Sequence, residues 1–225
     1  MNGNVSTNFK KQKIYHIDKL YKPVNFLNYT PPRYPVKSKL LAYNFYNRDP
    51  AEVAKDLLGH IIQTKKIAGL IVETEAYYGI RDPASRASAG KKQMNKWMWN
   101  DAGIIFIYMV HGHWLFNIIT QQKNIPSAIL IRAVEPLEGM ASMYKNRPVN
   151  AARNLTSGPG KFTQAFGITK NLNGQKIYKK ESIVTIREGY KLFCNIKSSQ
   201  RIGVRKDKSE PLRFYIPHNI FVSRP

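Results

Sequence analysis

Two glutamates stand two residues apart, Glu73 and Glu75, in the apolar run GLIVETEAYYG at residues 69–79. On an extended chain side chains alternate, so Ile71, Glu73, Glu75 and Tyr77 share one face and Val72, Thr74, Ala76 and Tyr78 the other. Carboxylates at that spacing lie roughly 7 Å apart at the backbone. Such a pair could hydrolyse a glycosidic bond, one carboxyl protonating the leaving group while the other activates water. The same spacing equally serves two structural ion pairs with nearby arginines. Spacing does not choose between them.

Composition narrows the field. The 225 residues hold 36 Lys and Arg against 14 Asp and Glu, a formal charge of +22. Self-repulsion of that size weakens a compact state, so the charge points to a polyanionic partner. Nucleic acid comes first, because Lys and Arg that neutralise phosphates release counterions and supply affinity independent of sequence. No long apolar run or lipidation signature points to a membrane. Cys194 is the single cysteine, which leaves no intrachain disulfide and no cysteine-rich zinc site. The five histidines show no metal-binding spacing. His111 and His113 lie two apart, but no carboxylate is near them in sequence. Neither metal nor cofactor is expected. With no N-terminal apolar segment of signal-peptide type, the expected location is intracellular.

The elements that must hold the glutamates can be read in outline. Residues 1–40 carry eight Lys or Arg, one acid and four prolines without a clear period, which predicts a basic, partly flexible arm. A single domain is expected over residues 41–225. Asp49-Pro50 supplies an N-cap and a first-turn proline for a short helix closing at Gly59. HIIQTKKIAGLIVETEAYY predicts two strands joined by a turn at Lys65–Gly69. GIIFIYMVHGHWLFNIIT predicts a second pair broken at Gly112, and SAILIRAVEP a further buried strand. Helices are expected from Pro136 and after SGPGK. ESIVTIRE, RIGV and LRFYIPHNIFVS alternate like strands again. The expected class is α+β, one compact domain with a mixed curved β-sheet and inserted helices.

Taken in order, VETEAYYG, DPAS, IFIYMVHG…FNI, ILIRAVEPLEGM, SGPGKFTQAFGI and RIGV…PLRFYIPHNIFVS resemble the alkyladenine (3-methyladenine) DNA glycosylase family. The likeness runs from about Leu41 to the C-terminus, and VETEAY, RAVEPLEG and SGPGK together are highly specific. The resemblance implies a monofunctional enzyme of base excision repair. It would flip an alkylated or deaminated purine out of double-stranded DNA and hydrolyse the N-glycosidic bond, leaving an abasic site. It implies Glu75 as the general base that activates water and Arg132 as the arginine beside that water. Asn117 would lie at the pocket floor, with Tyr77 and Tyr108 as opposed aromatic walls. Lys161, at a helix N-terminus, would receive a DNA phosphate. Glu73 is left as a structural, salt-bridged partner. A monomer would suffice for this work.

Two positions depart from the family pattern. DPASR places Arg86 where the family has a pocket histidine, and His111 stands where a tyrosine usually wedges into the duplex. The run after Gly112 is also one residue short. Two other functions fit less of the chain: a non-catalytic nucleic-acid-binding relative, and a carbohydrate hydrolase using Glu73 with Glu75. Trp97, Met98 and Trp99 offer either an intercalating or a core cluster.

Overall fold

Asp49 starts the first well-defined helix as the sequence predicts: its Oδ1 accepts the amides of Ala51 and Glu52, with Pro50 in the first turn. The computed structural model describes residues 38–189 and 195–224. Most of the expected basic arm, and Cys194, lie outside the described residues. In chain order the elements are α1 (Tyr43–Tyr46), α2 (Pro50–Asp56), β1 (Ile61–Gln63), β2 (Ala68–Tyr77), β3 (Ile105–Val110), β4 (His113–Thr120) and β5 (Ser127–Glu138). Then come α3 (Met140–Asn146), α4 (Arg153–Thr156), α5 (Pro159–Phe166), β6 (Thr185–Arg187), β7 (Lys197–Ser199) and β8 (Arg213–Tyr215).

The strands form one sheet in the order β3-β4-β5-β2-β1-β6, with β8 also on β2 and β7 on β8. The α+β class and the single curved sheet hold. Every strand pairing among the described residues is antiparallel, so the sheet has no parallel component there. One edge of β2 pairs along its length with β5. Its other edge is shared, β1 taking Ala68–Leu70 and β8 taking Glu73–Glu75. The β2–β5 register slips on both sides of Glu73, where the sheet forks. α2 packs against β2 and β5, with Thr74 Oγ1 donating to the Ala54 carbonyl. Glu75 points to the opposite face.

Two local expectations change, and one open choice is closed. β5 continues through Pro136 to Glu138, and the helix waits until Met140, after Gly139 turns the chain at φ 76°. Proline lacks an N–H, but Pro136 pairs with Gly69 beside a register slip, where a strand tolerates it. RIGV is a loop rather than a strand, because its arginine is consumed by buried ion pairs described below. Trp97 and Trp99 pack on a satellite core around Met98, Ile104 and Phe106, so the aromatic–Met cluster is structural. No described helix is long and apolar enough to cross a membrane.

His60, just past α2, gives the fold an acid-sensitive point. Its ring lies 5.4 Å from that of Phe45, and its buried Nδ1 has no partner among the described residues. Burial lowers its pKa to about 4, against a weaker opposing pull from Asp56. The unfolded chain binds this proton near pH 6.5 and the folded one does not, so stability is full above pH 6.5 and falls as pH drops towards 4. The loss should be on the order of 2–3 kcal/mol. Urea unfolding across this range should show that slope, and His60→Gln should flatten it.

Candidate active site

β2 and β5 bring the central charges together. Glu75 faces Leu130 across the ladder, and Arg132 follows two residues later on β5. Arg132 bridges both glutamates, with Nε 2.9 Å from Glu73 Oε1 and Nη1 3.1 Å from Glu75 Oε1. Burial alone would lower its pKa, but Glu75 and then Glu73 raise it above the ordinary value. Glu73 also receives Arg213 Nε at 2.7 Å, the Ser223 amide at 2.7 Å and the Ser223 hydroxyl at 2.8 Å. Both its oxygens are therefore engaged away from the cleft, and it cannot act as the second carboxyl of a hydrolytic pair.

Glu75 is engaged differently. Oε1 accepts the Ile202 amide at 2.7 Å beside Arg132 Nη1, whereas among the described residues Oε2 accepts only the Tyr77 hydroxyl, at 2.8 Å. A carboxylate oxygen can take two hydrogen bonds, so Oε2 retains capacity for one more donor. Burial first, and then the Glu75 charge, push the Tyr77 phenol well above its usual range and keep it a donor. The Ile202 carbonyl lies 3.5 Å from Arg132 Nη1, so the same peptide segment presents a donor and an acceptor beside Glu75.

In front of this group opens a cleft of about 1060 Å³. Tyr77 and Tyr108 line it, together with Arg86, His111, Arg132 and Lys161, so six of the eight predicted site residues meet there. Glu75 is fully buried behind Tyr77, Arg132 and Ile202. Asn117 is also buried, its Nδ2 donating to the Leu115 carbonyl, and it sits behind Leu115 and Leu130 rather than among the lining residues. His111 is exposed at the β3–β4 turn with φ 47°, beside Gly112 at φ 79°. The SGPGK sequence is explained by its geometry. Gly158 adopts φ 150° and ψ 152°, a region open essentially to glycine, and Pro159 begins α5. A Cβ on Gly160 would sit 2.7 Å from His113 Cβ. Lys161 reaches Ser157 at 3.4 Å, and its pKa is lowered by burial and by Arg147 and Arg153.

Sequence reasoning missed Arg201. It is buried, holds Asp82 through both terminal nitrogens at 2.6 and 2.7 Å, and binds Asp207 and the Ala76 carbonyl. Its guanidinium lies 4.5 Å from the centre of the Tyr77 ring. Although burial opposes ionisation of Asp82, Arg201 and the Tyr78 and Ala84 amides lower its pKa. This clip ties the loop carrying Arg86 to the loop carrying Ile202. The RIGV block contained the residue, but only the fold shows that its partners lie 119 and 6 positions away.

Residues 44–220 match the methylpurine-DNA glycosylase family. Among similar proteins, each named "Putative 3-methyladenine DNA glycosylase", one from Chlorobium phaeobacteroides is 38% identical over 80% of this chain and 95% of its own. One from Francisella tularensis is 41% identical over 77% and 93%, and one from Clostridium novyi 38% over 83% and 99%.

Proposed function

The chain belongs to the methylpurine-DNA glycosylase family, and we propose that Glu75 and Arg132 carry the 3-methyladenine DNA glycosylase reaction that this membership brings to base excision repair. The single observation behind these roles is the asymmetric coordination of Glu75, one oxygen held by Arg132 and Ile202 and the other with hydrogen-bonding capacity for one more donor. A damaged purine nucleotide flipped from the duplex enters between Tyr77 and Tyr108. The water bound to Oε2 gives its proton to Glu75 as it attacks C1′, and the base leaves with the bonding electrons. Arg132 and the Ile202 amide hold Oε1 in place, so that Oε2 alone takes the proton of the attacking water and one general base suffices. The Tyr77 hydroxyl, locked to Glu75, orients the carboxylate while its ring stacks on the base.

Damaged double-stranded DNA is the partner. Arg132, Arg147, Lys161, Arg205 and Lys206 line the cleft, and no Asp or Glu among the described residues does. Lys161 is read as a phosphate contact, supported by its convergence with Arg147 and Arg153. His111 at the exposed turn is read as the wedge. Asn117 supports the pocket floor, and the enzyme works as an intracellular monomer. Lys161→Ala should weaken duplex binding alike for all sequences and reduce the slope of log K against log salt by about one, measured by titration from low to moderate salt. The activity itself is tested with duplexes carrying one 7-methylguanine or hypoxanthine, scoring alkali-labile abasic sites. Salt-sensitive binding without abasic sites would instead favour the non-catalytic reading.

A further inference from the structure

The two aromatic walls of the cleft each carry a guanidinium, but on very different terms. Arg201 over Tyr77 is buried and neutralised by Asp82 and Asp207. Arg86 lies 4.5 Å from the centre of the Tyr108 ring, is exposed, and forms no ion pair among the described residues. Its backbone is fixed nonetheless, because its carbonyl accepts Asn95 Nδ2 at 2.7 Å while that amide also holds Gly90. Arg86 is thus an uncompensated charge anchored at the mouth of the base site and resting on one of its walls.

We infer that Arg86 is a specificity-determining residue that biases the site towards neutral purines with a free N7 acceptor and against N7-alkylated, cationic ones. This inference rests on the glycosylase reading of the cleft. A cationic base is stabilised on an aromatic wall by cation–π attraction, but on Tyr108 that attraction is already taken by Arg86. The guanidinium stays charged at any working pH, so it also repels the incoming cation. A neutral purine meets the opposite situation. It meets no charge repulsion, and its N7 and O6 can accept from the Arg fork. Alkylation at N7 removes that acceptor and adds the charge in one step, so 7-methylguanine loses on both counts and hypoxanthine on neither. Among the described residues no carboxylate lines the cleft to offset the repulsion, and Glu75 behind its wall is already paired with Arg132.

The test compares single-turnover release of hypoxanthine and of 7-methylguanine from otherwise identical duplexes by the full-length protein, Arg86→Ala and Arg86→His. Arg86 is exposed and held through its backbone, so both variants should fold. Removing the charge should shift the rate ratio towards 7-methylguanine by about tenfold, the size of a single cation–π attraction restored to the base. A second readout needs no catalysis: each Arg86 substitution is placed in the Glu75→Gln background, and the affinities for the two duplexes are compared by titration. The same direction of shift is expected. A ratio unmoved in both readouts, or moved towards hypoxanthine, overturns the role of Arg86 alone. Failure of every form to release either base or to prefer damaged over undamaged duplex overturns the glycosylase reading, and this inference with it.

Discussion

Glu75→Gln should abolish base release while leaving the fold and duplex binding in place. Glutamine keeps an oxygen for the Ile202 amide and Arg132, and its amide can donate to the Tyr77 hydroxyl, so every interaction seen at Glu75 has a replacement. What it cannot do is accept a proton from water. General-base assistance contributes about 10²–10⁴-fold, and single-turnover excision should fall by that range. Thermal unfolding should move little, and the salt dependence of binding should be unchanged, because Glu75 faces no phosphate. A variant that released base at the parental rate would remove Glu75 from the chemistry. One that unfolded would show it to be structural.

Glu73 should behave in the reverse manner. Its carboxylate compensates Arg132 and Arg213, both nearly inaccessible, and ties down the Ser223 segment through amide and hydroxyl. Glu73→Ala would leave two guanidiniums buried without their shared partner at the fork of the sheet. Breaking a buried pair by deleting one member costs about 3–5 kcal/mol, a large part of the roughly 5–15 kcal/mol that holds a typical domain together. Urea unfolding at neutral pH should register that loss, and activity should fall only as far as the folded fraction does. Equal instability of the Glu73 and Glu75 variants would contradict the division of labour between them. Two carboxylates of one type and one strand face therefore have separate uses, fixed by what surrounds each.

Much of this is legible in the sequence. The alternation of VETEAY places Glu73, Glu75 and Tyr77 on one face, and the structure joins the two glutamates through Arg132. The Asp49 cap and the strand pair around Gly112 also follow from local rules, because caps and pleats are short-range features. The rest depends on distant partners. Pro136 looks like a helix start, since local preference cannot show that Gly69 pairs with it across the sheet. Arg201 looks like one residue of an alternating block, since its meaning comes from Asp82, 119 residues earlier. The Ile202 amide is invisible to any reading by side-chain type, as it is the backbone that binds Glu75. Arg86 stands out as unusual for its block, but whether it turns to solvent or onto Tyr108 is a question only the fold can answer.

The most direct test of water-mediated hydrolysis is to follow free base and DNA together in one reaction. The protein is mixed in excess with a hypoxanthine-containing duplex and sampled with and without borohydride. Hydrolysis by Glu75-activated water predicts free hypoxanthine, an equal yield of abasic sites in strands that stay intact until alkali is added, no borohydride-trapped protein–DNA adduct, and none of these products from Glu75→Gln. A trapped adduct, or base release that survives Glu75→Gln, would mean that a different group attacks the sugar.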